Sequence, residues 1–253
     1  SLRTMVDANS GTQREVTRLL VELTDATRSI KAVVLRVDSP GGGIAPSDQI
    51  WYQIKRLRDK GLPVVASYGG LAASGGYWIA MAADEIWASP SSITGSIGVY
   101  GILPTFARPL EKLGIRSDGV GTTPLAGKLR LDRPLDPDLR RIFQHATERT
   151  YEDFIALVAE SRRMETQDVL DVAEGQVWSG IQAKERGLID RTGTLQEAVD
   201  AAARIAAARP TSPLASFSTA SRTTFPVSPR EIRSRCAPRR LKASRRSGMY
   251  SAR

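Results

Sequence analysis

Two short β-branched runs, AVVLRVD (32–38) and LPVVASY (62–68), each lead into a glycine-containing turn and then a helical pattern, which narrows the folds open to this chain. Runs that are apolar at nearly every position, rather than at alternate ones, belong to strands buried on both faces. Between them, SDQIWYQIKRLRDK (47–60) repeats its apolar residues at helical spacing, and 72–83 reads as a second helix of small residues. A strand, a crossover helix and a second strand imply parallel pairing through a right-handed connection. The pattern continues with strands at 85–90 and 93–103, a helix at 106–114, a loop over 119–134 and a long helix from about Asp136 to Arg163. A short helix from Thr166, a strand near Gln176–Trp178, a helix around Gln182–Arg186, the strand Leu188–Asp190 and an alanine-rich helix to about Ala208 complete it. The expected class is α/β, with helices covering a sheet.

The turn after the second run, GGLAASGGYW (69–78), sets one hydroxyl, Ser74, among glycines and alanines. Small residues there allow a helix to pack close to a strand; they also leave room for a substrate to reach a nucleophile. In AASGG the serine follows a strand and opens a helix, as a nucleophile elbow does, with Ala72 standing where G-x-S-x-G has its first glycine. The segment DSPGGG (38–43) follows the carboxyl end of the first strand, the edge where open α/β sheets bind ligands. Gly41 and Gly42 can adopt conformations that point amides outward. A dinucleotide site is the competing reading of these glycines, but G-x-G-x-x-G is absent and no acid ends the next strand.

A serine nucleophile needs a base. The one histidine, His145, shares a helical face with Glu148, Arg149 and Glu152, while Phe143, Thr147, Tyr151, Phe154 and Val158 form an apolar stripe. His145 is therefore expected on a solvated face, which leaves no Ser-His-Asp triad. Lysine remains, and becomes a base when burial disfavours its charged form. Of the seven lysines, Lys55, Lys60, Lys112 and Lys184 fall on charged helix faces, Lys31 at a strand entry and Lys242 near the end of the chain. Lys128, between glycine and leucine in the 119–134 loop, either bends into a cleft or stays in solvent; the sequence leaves both open.

The formal net charge of +9 raises the question of a nucleic-acid partner. Residues 209–253 hold ten Arg, one Lys and one Glu, a net +10, so residues 1–208 sum to −1. The expected division is a folded domain over 1–208 and a basic Ser-, Pro- and Arg-rich tail over 209–253 that forms no regular structure. Nucleic acid is not expected as a partner, because the folded part offers no basic stripe. The single Cys236 lies in the tail, which excludes an internal disulfide and a cysteine zinc cluster. No run of about 18 apolar residues occurs, and no signal peptide opens the chain. The first residue is Ser, which suggests a fragment with a targeting segment upstream.

DSPGG, GGLAASGGYWIA and SPSSITGSIGVYG, in this order and spacing, resemble the signal peptide peptidase A (protease IV) family of bacterial serine peptidases. The resemblance continues through GVGTTPLA, the long helix and VWSGIQAKERGLID, over about residues 28–203. It implies a fold similar to the Clp protease and crotonase superfamily, an α/β superhelix of repeated β-β-α units. It implies Ser74 as nucleophile, the amides of Gly42 and Gly75 as oxyanion donors, and Ser96 in TGSIG as the serine that orients the catalytic lysine; Ser96 reads equally as a strand-end turn residue. In short members the lysine comes from the loop after KLGI, close to Lys128. In long members two homologous halves are fused, the nucleophile lies in the carboxyl half and the lysine in the amino half. ASGGYW, DGVGTTPLA and RPLDPD look more like the carboxyl half of a long member, which implies a base outside this chain.

The activity implied is Ser-Lys hydrolysis of remnant signal peptides or other hydrophobic segments at the periplasmic face of a bacterial cytoplasmic membrane. The resemblance implies no metal or organic cofactor, a ring- or bowl-shaped homo-oligomer and membrane association through an upstream segment. Trp51, Tyr52, Trp78 and Ile79 are candidates for a substrate groove or for the core. Two rival readings are a catalytically incomplete half acting as an assembly module and a crotonase-type acyl-CoA enzyme with the same oxyanion amides.

Overall fold

The computed structural model describes residues 16–22, 30–119, 121–123 and 126–209. All of these fall within one compact unit, residues 1–211. The expected basic tail, apart from Arg209, and Cys236 lie outside the described residues.

Helical residues 16–22 (α1) bury Val16 and Leu20. Strands β1 (Val33–Ser39) and β2 (Val64–Ala73) pair in parallel, from Val33 opposite Val64 to Val37 opposite Tyr68. Successive side chains of a strand point to opposite faces, and here both faces are covered. Val33, Leu35, Val37, Val64, Ala66 and Tyr68 enter the larger core, shared with α2 (Ile44–Asp59), α3 (Gly75–Ala80) and α5 (Pro137–Arg162). Val34 and Val65 enter a smaller core with Trp87, beneath Ala198, Ala201 and Ala202 of α8 (Leu195–Ala208). The result is a helix–sheet–helix sandwich. Each fully buried Val, Leu or Ile contributes about 1.5–3 kcal/mol relative to exposure. Helix α2 buries Ser47, Ile50, Ile54 and Leu57, one stripe at helical spacing. It starts three residues earlier than the sequence suggests, because Pro46 falls in the first turn, where a missing N–H breaks no helical bond.

Strand β2 runs on to Ala73, past its expected end at Tyr68. An irregularity makes this possible: the register shifts so that Ser39 faces Ala72. Asp38 fills the gap, its Oδ1 accepting from the Leu71 amide at 3.2 Å, and its carboxylate sits where a Cβ on Gly69 would stand, 2.6 Å away. The shift also lets β2 change partners along its other edge. Residues 65–67 pair with β3 (Glu85–Ala88), and 71–73 pair with β4 (Ile93–Gly95). Strand β6 (Arg191–Thr192) extends the sheet beyond β3, and β5 (Val177–Ser179) closes the far end beside β4. The β4–β5 pair is antiparallel, the one departure from the expected parallel pairing.

Three expected elements are corrected. The strand over 93–103 ends at Gly95, where φ values of +88° at Gly95 and +49° at Ser96 turn the chain out of the sheet toward α4 (Ala107–Lys112). Leu188 and Ile189 are core residues rather than a paired strand, and pairing begins at Arg191. After α6 (Thr166–Val172), α7 (Gly180–Glu185) starts early, because Ser179 and Gln182 form a reciprocal capping box.

The carboxyl end of α5 is tied to the sheet. Arg162, its side chain 10% exposed, donates to both oxygens of Asp190 at 3.0 and 2.7 Å and to the Gly187 carbonyl at 2.8 Å. Asp190 also accepts from the Ile86 amide at 2.7 Å. Arg162→Ala is expected to lower the unfolding free energy by about 2 kcal/mol in urea denaturation. That is less than the ~3–5 kcal/mol of a fully buried pair, because the Asp190 side chain is 33% exposed.

Candidate active site

Strand β2 delivers Ser74 to the amino end of α3 with φ +51° and ψ −118°, a backbone conformation that a residue with a side chain rarely adopts. Holding it costs on the order of 1–3 kcal/mol. The Ser74 amide donates to the Gly95 carbonyl and its own carbonyl accepts from Trp78, both at 2.9 Å, so sheet and helix fix the elbow together. Among the described residues, Ser74, Ser96, Arg163 and Glu174 are the non-glycine residues at positive φ. Arg163 is the left-handed cap of α5. The other three line a single cleft of about 850 Å³.

The glycine turn after β1 lies against this elbow. Gly41 has φ +112°, and a Cβ there would stand 2.7 Å from Ser74 Cβ and 3.0 Å from the Gly75 nitrogen. A Cβ on Gly75 would run into Ser47 Oγ and stand 3.2 Å from the Gly42 nitrogen. The two backbones touch because neither carries a side chain, and the nitrogens of Gly42 and Gly75 are thereby gathered beside Ser74. Gly75 is the first residue of α3, a position whose N–H has no acceptor within its own helix. The turn is secured by Ser39 Oγ, which accepts from the Gly41 amide at 3.2 Å, and by Ser47 Oγ, which donates to the Gly43 carbonyl at 3.0 Å.

Ser96 reaches the same cleft from the end of β4. Its amide donates to the Gln176 carbonyl at 2.7 Å, and the Gly175 amide donates to Ile97 at 3.0 Å, which presses the 96–98 turn against the Glu174–Gly175 turn. The apolar part of the cleft is formed by Ile44, Val99, Tyr100 and Tyr151, backed by Trp78 and Phe154, whose ring centroids lie 4.8 Å apart and which are themselves almost fully buried. Of the four groove candidates, Trp78 lines the cleft. Ile79 is core, Trp51 packs against the core, and Tyr52 is exposed.

Lys128 is placed elsewhere. It lines a second cleft with Arg130 and Arg133, and its Nζ donates to Asp138 at 2.9 Å and to Asp136 at 3.3 Å. The hydrogen bonds to Asp138 and then Asp136 push the lysine pKa up, the direction that keeps it protonated and opposes action as a base. His145 stands on a solvated face, its side chain 72% exposed and its Nδ1 3.6 Å from Glu148. The structure thus brings Ser74, Gly42, Gly75 and Ser96 together and leaves Lys128 apart. Among the described residues lining the Ser74 cleft there is no lysine and no histidine. Sequence reasoning missed Glu174 as a cleft residue: the Glu-Gly pair marks a turn, but nothing local says that this turn faces 96–98.

The model of peptidase family S49 matches residues 56–209, more than half of the chain. The chain belongs to peptidase family S49. It is 44% identical over 177 residues to Protease 4 of Salmonella typhi, covering 70% of this chain and 28% of that protein. It is 38% identical over 219 residues to Protease 4 of Haemophilus influenzae, covering 85% of this chain and 35% of that protein. The chain thus spans about a third of these relatives. Among solved structures, a ClpP1 variant from Listeria monocytogenes superposes with a TM-score of 0.51 at 16% identity, covering 76% of this chain and 90% of that one. At that identity the likeness concerns the fold, which is that of the Clp proteases. It agrees with the fold class expected from the sequence.

Proposed function

We propose that this S49 chain carries the nucleophile, the oxyanion site and the substrate cleft of a Ser-Lys endopeptidase acting on hydrophobic peptide segments such as cleaved signal peptides. The observation that carries the reading is a serine held in a strained elbow, with two glycine nitrogens beside it, opening into a partly apolar cleft. Ser74 Oγ attacks the scissile carbonyl carbon and its proton passes to an uncharged lysine amine. The amides of Gly42 and Gly75 hold the oxyanion while the C–N bond breaks, and the departing amine takes the proton. Water, deprotonated by the same lysine, then releases the acyl group and restores Ser74. Ser96 orients that lysine.

Among the described residues, the Ser74 cleft supplies no lysine. In our reading the base comes from an amino-terminal half or a neighbouring copy, because Lys128 is held charged in a different cleft. Lys128→Ala is accordingly expected to leave fluorophosphonate labelling of Ser74 within about twofold; a loss on the order of 100-fold, the scale of a lost general base, would assign the base to Lys128.

Assembly into a homo-oligomer is part of the proposal. Tyr100, Ile102 and Leu113, 86%, 81% and 72% exposed, crowd the segment that leaves the sheet after Ser96, and apolar surface of that extent favours cover by another copy. No helix among the described residues is long and apolar enough to cross a membrane. Action at the periplasmic face of a cytoplasmic membrane is part of the proposal. Labelling with a fluorophosphonate probe, in protein that carries the part supplying the lysine, tests the reading: native Ser74 should label and Ser74→Ala should not, and equal labelling would remove Ser74 from the mechanism.

A further inference from the structure

We propose that the Ser74 cleft selects peptides bearing a positive charge next to their apolar residue, and that Glu148 and Glu174 are the residues that read it. This rests on the peptidase reading above and names its substrate class more narrowly. Among the described residues lining the cleft, the charged ones are Glu148, on α5, and Glu174, in the turn before β5; no lysine or arginine joins them. They therefore give the cleft one sign of charge. Among the described residues, no lysine or arginine pairs with either. Glu174 is exposed. Glu148, its side chain 53% exposed, accepts from the Gln144 amide at 2.9 Å and has His145 as its ionisable neighbour at 3.6 Å.

The two carboxylates come from different elements, whereas Ile44, Val99, Tyr100 and Tyr151 supply the accessible apolar surface. A peptide that lays an apolar side chain on this surface carries its neighbouring residues toward the walls. The backbone that carries Glu174 is set before any ligand arrives: the Gly175 amide bonds the Ile97 carbonyl at 3.0 Å and the Gln176 amide bonds the Ala173 carbonyl at 3.1 Å. Negative groups lining a concave, partly apolar wall attract a cation more strongly than the same groups on a flat surface. Exposed ion pairs are individually weak, so the selectivity expected from the two together is roughly fivefold to thirtyfold, not orders of magnitude.

The test uses binding rather than turnover, so it does not depend on the source of the base. Full-chain Ser74→Ala is titrated, by fluorescence anisotropy, with acetylated peptides that pair leucine with lysine or with its uncharged isostere norleucine, and with a norleucine peptide whose amino terminus is free. The lysine peptide, the free-amine peptide or both should bind roughly fivefold or more tightly than the acetylated norleucine peptide, which also identifies whether side chain or terminus is read. The advantage should shrink on raising salt from about 20 to 300 mM and vanish in Glu148→Gln/Glu174→Gln. Glu174→Lys should turn the preference toward a glutamate-bearing peptide, an inversion that loss of the fold cannot imitate. Equal affinity for charged and uncharged peptides, an advantage that survives both glutamine substitutions, or no peptide binding at all would each overturn the proposal. The peptidase reading is scored separately by fluorophosphonate labelling of Ser74 in the native chain.

Discussion

Replacing Ser74 with glycine is expected to make the protein more stable and inactive in one step. The backbone there stands at φ +51°, ψ −118°, close to the geometry in which only glycine escapes the clash of a Cβ with its own chain. Removing the side chain relieves strain on the order of 1–3 kcal/mol, and the extra freedom of an unfolded glycine returns about 0.5–1 kcal/mol of that gain. A rise of about 1 kcal/mol in unfolding free energy should remain, visible as a higher midpoint in urea. With the lysine supplied, peptide turnover should fall by about 10⁴-fold or more, the scale seen when a serine nucleophile is removed from a hydrolase. Ser74→Ala should lose the same activity without the gain in stability, since alanine keeps the Cβ. A glycine variant less stable than the native protein would mean that the hydroxyl, rather than the conformation, holds the elbow.

Gly75→Ala is expected to damage both stability and chemistry, for a different reason. The added methyl would meet Ser47 Oγ and press to 3.2 Å from the Gly42 nitrogen, so the turn after β1 must back away from the elbow. Forcing a methyl into such a closed contact costs typically 1–3 kcal/mol. Displacing an oxyanion donor slows acylation by roughly 10²- to 10³-fold. Denaturant midpoints and the rate of Ser74 labelling read the two effects separately. Gly70→Ala is the control: nothing lies within 4 Å of a Cβ there, and the change should stay within about 0.5 kcal/mol. If Gly75→Ala labelled at the native rate, the Gly75 amide would have no part in holding the oxyanion.

The strand–turn–helix units around Ser74 were legible because their signals are local. A continuous apolar run, a glycine turn and a helical stripe follow one another within a few residues, so β1, α2, β2 and α3 were expected in the right order with ends misplaced by a few positions. The misplaced ends share a cause, namely contacts far away in sequence. β2 outlasts its apolar run because Asp38 reaches across to Leu71, and 93–103 fails to stay extended because the Ser96 turn bonds Gln176. Four of the site residues singled out in the sequence, Ser74, Gly42, Gly75 and Ser96, do converge. Lys128 does not, and no periodicity could have shown why: Asp136 and Asp138, which hold it, are also the cap and first turn of α5, and a cap residue advertises helix initiation rather than a claim on a lysine eight positions earlier.

Strand β2 is bordered by β1 on one edge and by β3 and then β4 on the other, so the segment that ends in Ser74 occupies the middle of the sheet. Fluctuations that fray a protein start at edge strands and termini, and Ser74 is carried by a strand with neighbours on both sides. The elbow's strain cannot leak away through partial opening; it persists until the whole sheet gives way. Wear on this molecule, whether from heat or from another protease, should therefore strip the outlying segments long before it blunts the serine.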